Sequence, residues 1–170
     1  MFAIYAENAN LDDPLSVLRI GEQPKPNIPT GWSRVKINHA SLNRHDIFTL
    51  QGITGHDEPI RYPMILGNDG VGILDDGSRV VIYPVIGSTN WRSDEMLDPG
   101  WSILSEFVQG TFADYAVVPE KNLIPLPEQL SSIHGAVLGT AWLTAYRALF
   151  TKSRLKPGQT MLVQGASGGM

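Results

Sequence analysis

Short runs in which apolar and polar residues alternate fill the chain up to Pro127. Val35-Lys36-Ile37-Asn38-His39 alternates with period two, and so do parts of segment 112–118. Segments 1–6, 15–20, 71–74 and 79–83 also read as strands, ended by turn residues such as Asp75-Asp76-Gly77. Many short strands at roughly regular spacing predict a sandwich or a partly open barrel. One short helix is expected over 43–50, closed by Gly52. Between Pro84 and Gly110 the periodicity is weak, and a loop of that length is often functional or the remnant of an inserted lobe.

After Pro125-Leu126-Pro127 the period changes. Segments 131–138 and 140–151 read as helical, with Val137, Ala141, Ala145 and Leu149 forming one stripe at four-residue spacing. Lys156-Pro157-Gly158 stops the helix, and 160–164 then reads as a strand leading into Gly165-Ala166-Ser167-Gly168-Gly169. A buried strand followed by a glycine turn is how a doubly wound sheet opens a dinucleotide site, because glycines let the backbone approach a pyrophosphate. A flexible tail is the plain alternative. The expected organisation is a mainly β unit over 1–127 and an incomplete start of a nucleotide-binding unit over 128–170.

Charge and composition narrow the function. Seventeen acidic against 13 basic residues give a net charge of −4, with no dense Lys/Arg run, which argues against nucleic acid and anionic membranes. Apolar stretches fall short of the ~20 residues of a membrane span. The N-terminus lacks the basic start and apolar run of a signal peptide, so a cytoplasmic protein is expected. The absence of cysteine removes disulfides, thiol nucleophiles and thiolate zinc sites. Four histidines, at 39, 45, 56 and 134, have no HxH or HxxxH spacing, so no dedicated metal site is expected.

Five segments in order carry a family resemblance. They are Ser41-Leu42-Asn43-Arg44-His45-Asp46 with Gly52, Pro63-Met64-Ile65-Leu66-Gly67-Asn68-Asp69-Gly70-Val71-Gly72, Gly110-Thr111-Phe112-Ala113-Asp114-Tyr115, Leu143-Thr144-Ala145-Tyr146, and Lys156-Pro157-Gly158 running into the glycine turn. The chain resembles the medium-chain dehydrogenase/reductase superfamily of alcohol dehydrogenases and quinone oxidoreductases. The resemblance implies a GroES-like, partly open barrel followed by helices and the first strand of a truncated α/β Rossmann domain. It also implies a nicotinamide cofactor, NADP by the form of the turn with NAD as the alternative, and a homodimer of the whole protein. Zinc-dependent members bind their catalytic metal at positions that fall here on Asn43, Asn68 and Thr140, none of them a credible ligand. The resemblance therefore implies a zinc-lacking reductase of quinones, conjugated enones or related carbonyls, with this chain inactive by itself. A non-enzymatic GroES-like binding module, and a zinc enzyme using His45 and Asp69, are the alternatives.

The resulting candidate catalytic residues are Asn43, His45, Asp46, Asn68 and Asp69, and the candidate cofactor residues are Thr140, Thr144, Ser167, Gly168 and Gly169. Asn43 caps the helix, offers its amide to substrate, or does both. His45 suits proton transfer, or is a partly exposed helix histidine. Asp46 is expected to anchor its turn. His39 shares a strand face with Val35 and Ile37 and reads as a core histidine. His56, in a polar loop, reads as solvent-facing.

Overall fold

A computed structural model describes residues 1–166 and Gly168. Strands β1 (Phe2–Ala6), β2 (Leu18–Glu22) and β3 (Trp32–Ser41) come first, followed by helix α1 (Arg44–Gln51). Strands β4 (Met64–Ile65), β5 (Asp69–Ile73), β6 (Arg79–Ile82), β7 (Val85–Ile86), β8 (Ser102–Ile103), β9 (Tyr115–Pro119) and β10 (Leu123–Pro125) complete the β part. The main sheet is antiparallel in the order β10-β6-β5-β3-β9, flanked by the sheet β2-β1-β4 and the hairpin β7-β8. Together they form the mainly β, curled barrel that the alternating pattern predicts.

Alternation along β5 and β6 sends side chains to two cores. Val80 and Ile82 join Val35, Leu104, Ala116 and Val118 inside the curled sheet. Val71 and Val81 face the other way, onto Leu126 and Ala136. Helix α2 (Ser132–Gly135) covers that outer face, with the Ser131 hydroxyl accepting the His134 N–H at its N-terminus. A helical run continues over 138–152, an α turn α3 (Leu143–Tyr146) between two wider π-type turns. Its half-buried face is the stripe of Val137, Ala141, Ala145 and Leu149.

Four local readings change. Segment 15–20 opens as a 3-10 turn, Pro14–Val17, because Pro14 fixes a helical first position, and the strand begins only at Leu18. His39 is exposed, because a bulge between Ile37 and His39 shifts the β3–β5 register and turns the ring out of the core. His56 is half-buried, its ring packed against Trp101 at 4.7 Å and Phe107 at 5.1 Å between centroids. Residues 160–164 make no strand: no described strand pairs with them, and Met161, Leu162 and Val163 are exposed. Among the described residues no helix is long and apolar enough to cross a membrane.

Candidate active-site pocket

Helix α1 starts where β3 ends, and this junction builds the site. Asn43 is the N-cap, and Gly52 closes the helix in the left-handed region at φ 75°. Asp46, in the first turn, accepts the Asn43 N–H at 2.7 Å and the Gly67 N–H at 3.1 Å, so one carboxylate ties the helix to the turn before β5. Gly67 itself has φ 95°, and a Cβ there would strike the Phe112 ring and the Thr111 hydroxyl. Burial pushes the Asp46 carboxyl above its usual range, against the two N–H bonds that pull it down. Asp46 is a turn anchor, as its position in the sequence suggests.

Asp69, only 1% exposed, stands at the start of β5 opposite Ser41 of β3. Three donors converge on its carboxylate: the Ser41 hydroxyl at 2.8 Å and the Asn43 amide at 2.9 Å on Oδ2, and the Thr140 hydroxyl at 2.7 Å on Oδ1. A buried carboxylate is tolerable only with such compensation. The helical run reaches Asp69 because residue 139 is glycine, where a Cβ would come within 2.7 Å of Asp69 Oδ1 and 3.1 Å of the Ile82 carbonyl. One turn on, the Thr144 hydroxyl donates to the Thr140 carbonyl at 2.6 Å. Above this cluster opens a pocket of about 720 Å³, its polar floor formed by Ser41, Asn43, Asp69, Thr140 and Thr144, and its walls including Leu42, Val137 and Trp142. Among the described residues Arg44 is the one Lys or Arg that lines it.

Behind the pocket wall lies a second polar chain. The Asn68 amide donates to the Leu104 carbonyl at 2.9 Å and lies 3.0 Å from His45 Nδ1. His45 Nε2 lies 2.8 Å from Glu106 Oε1, and the Thr54 hydroxyl donates to Glu106 Oε2 at 3.0 Å. Since the Asn68 amide can only donate to the ring, the network assigns the proton to His45 Nε2, directed at Glu106. Asn68 is fully buried and its Oδ1 has no hydrogen-bond partner. Glu106 follows Ser105, whose φ of 70° is unusual for a side-chain-bearing residue and whose carbonyl accepts the Thr49 hydroxyl at 2.8 Å.

A third cluster pins the 84–110 segment to the helical run. The Arg147 guanidinium and the Lys152 ammonium both pair with Asp94. These two cations hold the Asp94 carboxyl down to about 2. Nearby, the Tyr83 hydroxyl donates to Glu95 at 2.7 Å, and burial pushes its pKa well above the usual phenol range.

The site therefore brings Asn43, His45, Asp69, Thr140 and Thr144 to one pocket and leaves Asp46 and Asn68 behind its wall. Gly168 lies in an exposed turn closed by its N–H to the Gly165 carbonyl at 2.9 Å, and it does not line the pocket. Ser167 and Gly169 fall outside the described residues. Glu106 and Arg44 escaped the sequence reading. No spacing rule connects Glu106 to His45, which lies in a different part of the chain, and Arg44 reads as an ordinary helix-start residue. Among the described residues no three His, Cys, Asp or Glu side chains gather to hold a metal.

Residues 29–128 match the family described as the alcohol dehydrogenase GroES-like domain. The chain belongs to that family. The GroES-like chain is 44% identical over 137 residues to mouse (Mus musculus) quinone oxidoreductase, covering 80% of this chain and 37% of the relative. It is 32% identical over 154 residues to a zinc-type alcohol dehydrogenase-like protein of Schizosaccharomyces pombe, covering 90% and 43%. A crystal structure of an NAD-dependent alcohol dehydrogenase superposes with a TM-score of 0.83 at 30% identity, covering 93% of this chain and 49% of that one. The GroES-like chain thus spans less than half the length of these relatives.

Proposed function

We propose that this chain forms the substrate-side wall of a zinc-independent oxidoreductase that passes hydride from NADPH to a quinone, a conjugated enone or a related carbonyl. The observation that carries the reading is the Asp69 cluster. At the three positions where zinc-dependent relatives are expected to hold their metal stand two amides and a hydroxyl, and Asn43 and Thr140 already turn their hydrogens onto Asp69. Zinc takes lone pairs from thiolate, imidazole or carboxylate, and this donor set does not fit it.

The nucleotide, when bound, supplies the hydride. This chain's residues would orient it and exclude water, with Thr140, Thr144 and the glycine turn at Ser167, Gly168 and Gly169 on its side and Arg44 as the nearby cation. Asn43 and Asp69 shape the substrate floor, while His45 and Asn68 stiffen the wall. Residues 1–127 act as the substrate domain and 128–170 as the beginning of a nucleotide-binding domain. The exposed Trp142, Tyr146, Phe150 and Leu162 support further packing beside the helical run. A homodimer assembled through structure outside this chain and a cytoplasmic address complete the proposal.

Metal analysis and turnover of the full-length protein test it together. No stoichiometric zinc and NADPH-dependent enone or quinone reduction that is indifferent to chelators are the expected results. One zinc per chain, or turnover lost on chelation and restored by Zn²⁺, would overturn it.

A further inference from the structure

The hydrogens of the pocket floor all point the wrong way for a carbonyl. Ser41 and Thr140 spend their hydroxyl hydrogens on Asp69, Asn43 spends an amide hydrogen on the same carboxylate, and Thr144 spends its hydroxyl hydrogen on the Thr140 carbonyl. The second Asn43 amide hydrogen leans toward the Ser41 carbonyl at 3.5 Å. What these groups leave for a ligand is lone pairs on the three hydroxyl oxygens. Reversing a hydroxyl would strip a charge-assisted bond from a carboxylate that is 1% exposed, and such bonds are the costly ones to lose.

We infer that the floor of this pocket selects hydrogen-bond donors, so that the floor groups hold the hydroxyl form of a redox pair directly and the carbonyl form only through an intervening water, which leaves direct donation to a carbonyl to Arg44 on the wall. The inference rests on the proposed reductase reading for the class of ligand. It adds that, where hydride goes to the carbonyl carbon of an enone or reduces a quinone, the hydroxyl-bearing product, an allylic alcohol or a hydroquinone, binds more tightly than its carbonyl partner. Product release then slows turnover, and the alcohol acts as an inhibitor competing with the carbonyl substrate. A bridging water satisfies both sides at a modest entropic cost, so the carbonyl form still binds.

The probes are 2-cyclohexen-1-ol and 2-cyclohexen-1-one, which match in size and differ in the polarity of one oxygen. The chain has no cysteine for the enone to alkylate. Each is titrated into ¹⁵N-labelled full chain while the Asn43 side-chain amide and the Thr140 backbone amide are followed by NMR. The alcohol is expected to bind about tenfold more tightly, the equivalent of ~1.4 kcal/mol. Thr140→Val should remove most of that preference by weakening the alcohol far more than the water-bridged ketone. Equal or tighter binding of the ketone in the unmodified chain overturns the inference, as does the absence of a shift at both reporters. Should the preference hold while the full-length protein shows no NADPH-dependent enone reduction, the reductase proposal falls and the donor-selective floor stands.

Discussion

Asp46→Asn and Asp69→Asn remove the same charge from two buried carboxylates and should differ sharply in cost. Asp46 is held by two backbone N–H groups, from Asn43 and Gly67, one on each oxygen. Neither donor can reverse, so an asparagine must point its NH₂ at one of them. The other bond falls from charge-assisted to neutral, a loss of ~1 kcal/mol, and the opposed N–H is left unsatisfied for about 1–3 kcal/mol more. Relief of the buried charge offsets part of this, since burial already raises the Asp46 pKa. A net loss of ~2 kcal/mol is expected. At Asp69 two of the three donors are hydroxyls. With the asparagine NH₂ placed toward Thr140, that hydroxyl rotates to accept, and the oxygen still takes Ser41 and Asn43. The bonds from Ser41 and Asn43 fall from charge-assisted to neutral at ~1 kcal/mol each, and relief of a charge buried at 1% exposure offsets about half of this, for an expected cost of ~1 kcal/mol. Urea unfolding at pH 7 measures both: with a slope of ~2 kcal/mol/M, Asp46→Asn lowers the midpoint by ~1 M and Asp69→Asn by ~0.5 M. Equal midpoints, or the larger drop at Asp69, would refute the argument from fixed and rotatable donors.

Three further outcomes are expected. Gly139→Ala places a methyl against Asp69 and the Ile82 carbonyl, costing ~1–3 kcal/mol and separating Thr140 from Asp69, visible as loss of a slowly exchanging Thr140 hydroxyl proton by NMR. Asp94, with a folded pKa of about 2 against 3.8 for a free carboxyl, lends stability that is fully present above pH 3.8 and is lost as the pH falls toward 2. Asp94→Asn should flatten that acid limb of the thermal unfolding curve, and an unchanged limb would assign it to another carboxylate. Isolated residues 1–170 should bind NADPH no more tightly than about 1 mM, because a few exposed hydrogen bonds of ~1 kcal/mol each must meet the cost of association. Saturable low-micromolar binding by fluorescence titration would show the nucleotide site to be complete without further structure.

Local chemistry alone determined much of this protein. Period-two alternation placed β3 and β9, short apolar runs ended by turn residues placed β5 and β6, and Asn43 and Gly52 bracketed α1, because strand faces and helix ends are written in neighbouring residues. The five ordered segments pointed to the GroES-like family that residues 29–128 match. Tertiary structure decided the rest. A single bulge after Ile37 put His39 outside, which no pattern of apolar residues announces. Segment 160–164 carries a strand's composition, yet a strand needs a neighbour's backbone to pair with, and the described residues offer none. The Asp69 cluster draws on Ser41, Asn43 and Thr140, and the His45 chain on Asn68, Thr54 and Glu106, across separations in sequence that periodicity does not reach. A carboxylate's partners, and with them the direction of every hydrogen on the pocket floor, are fixed only when distant elements pack and exclude water, because burial is what compels each polar group to find a partner.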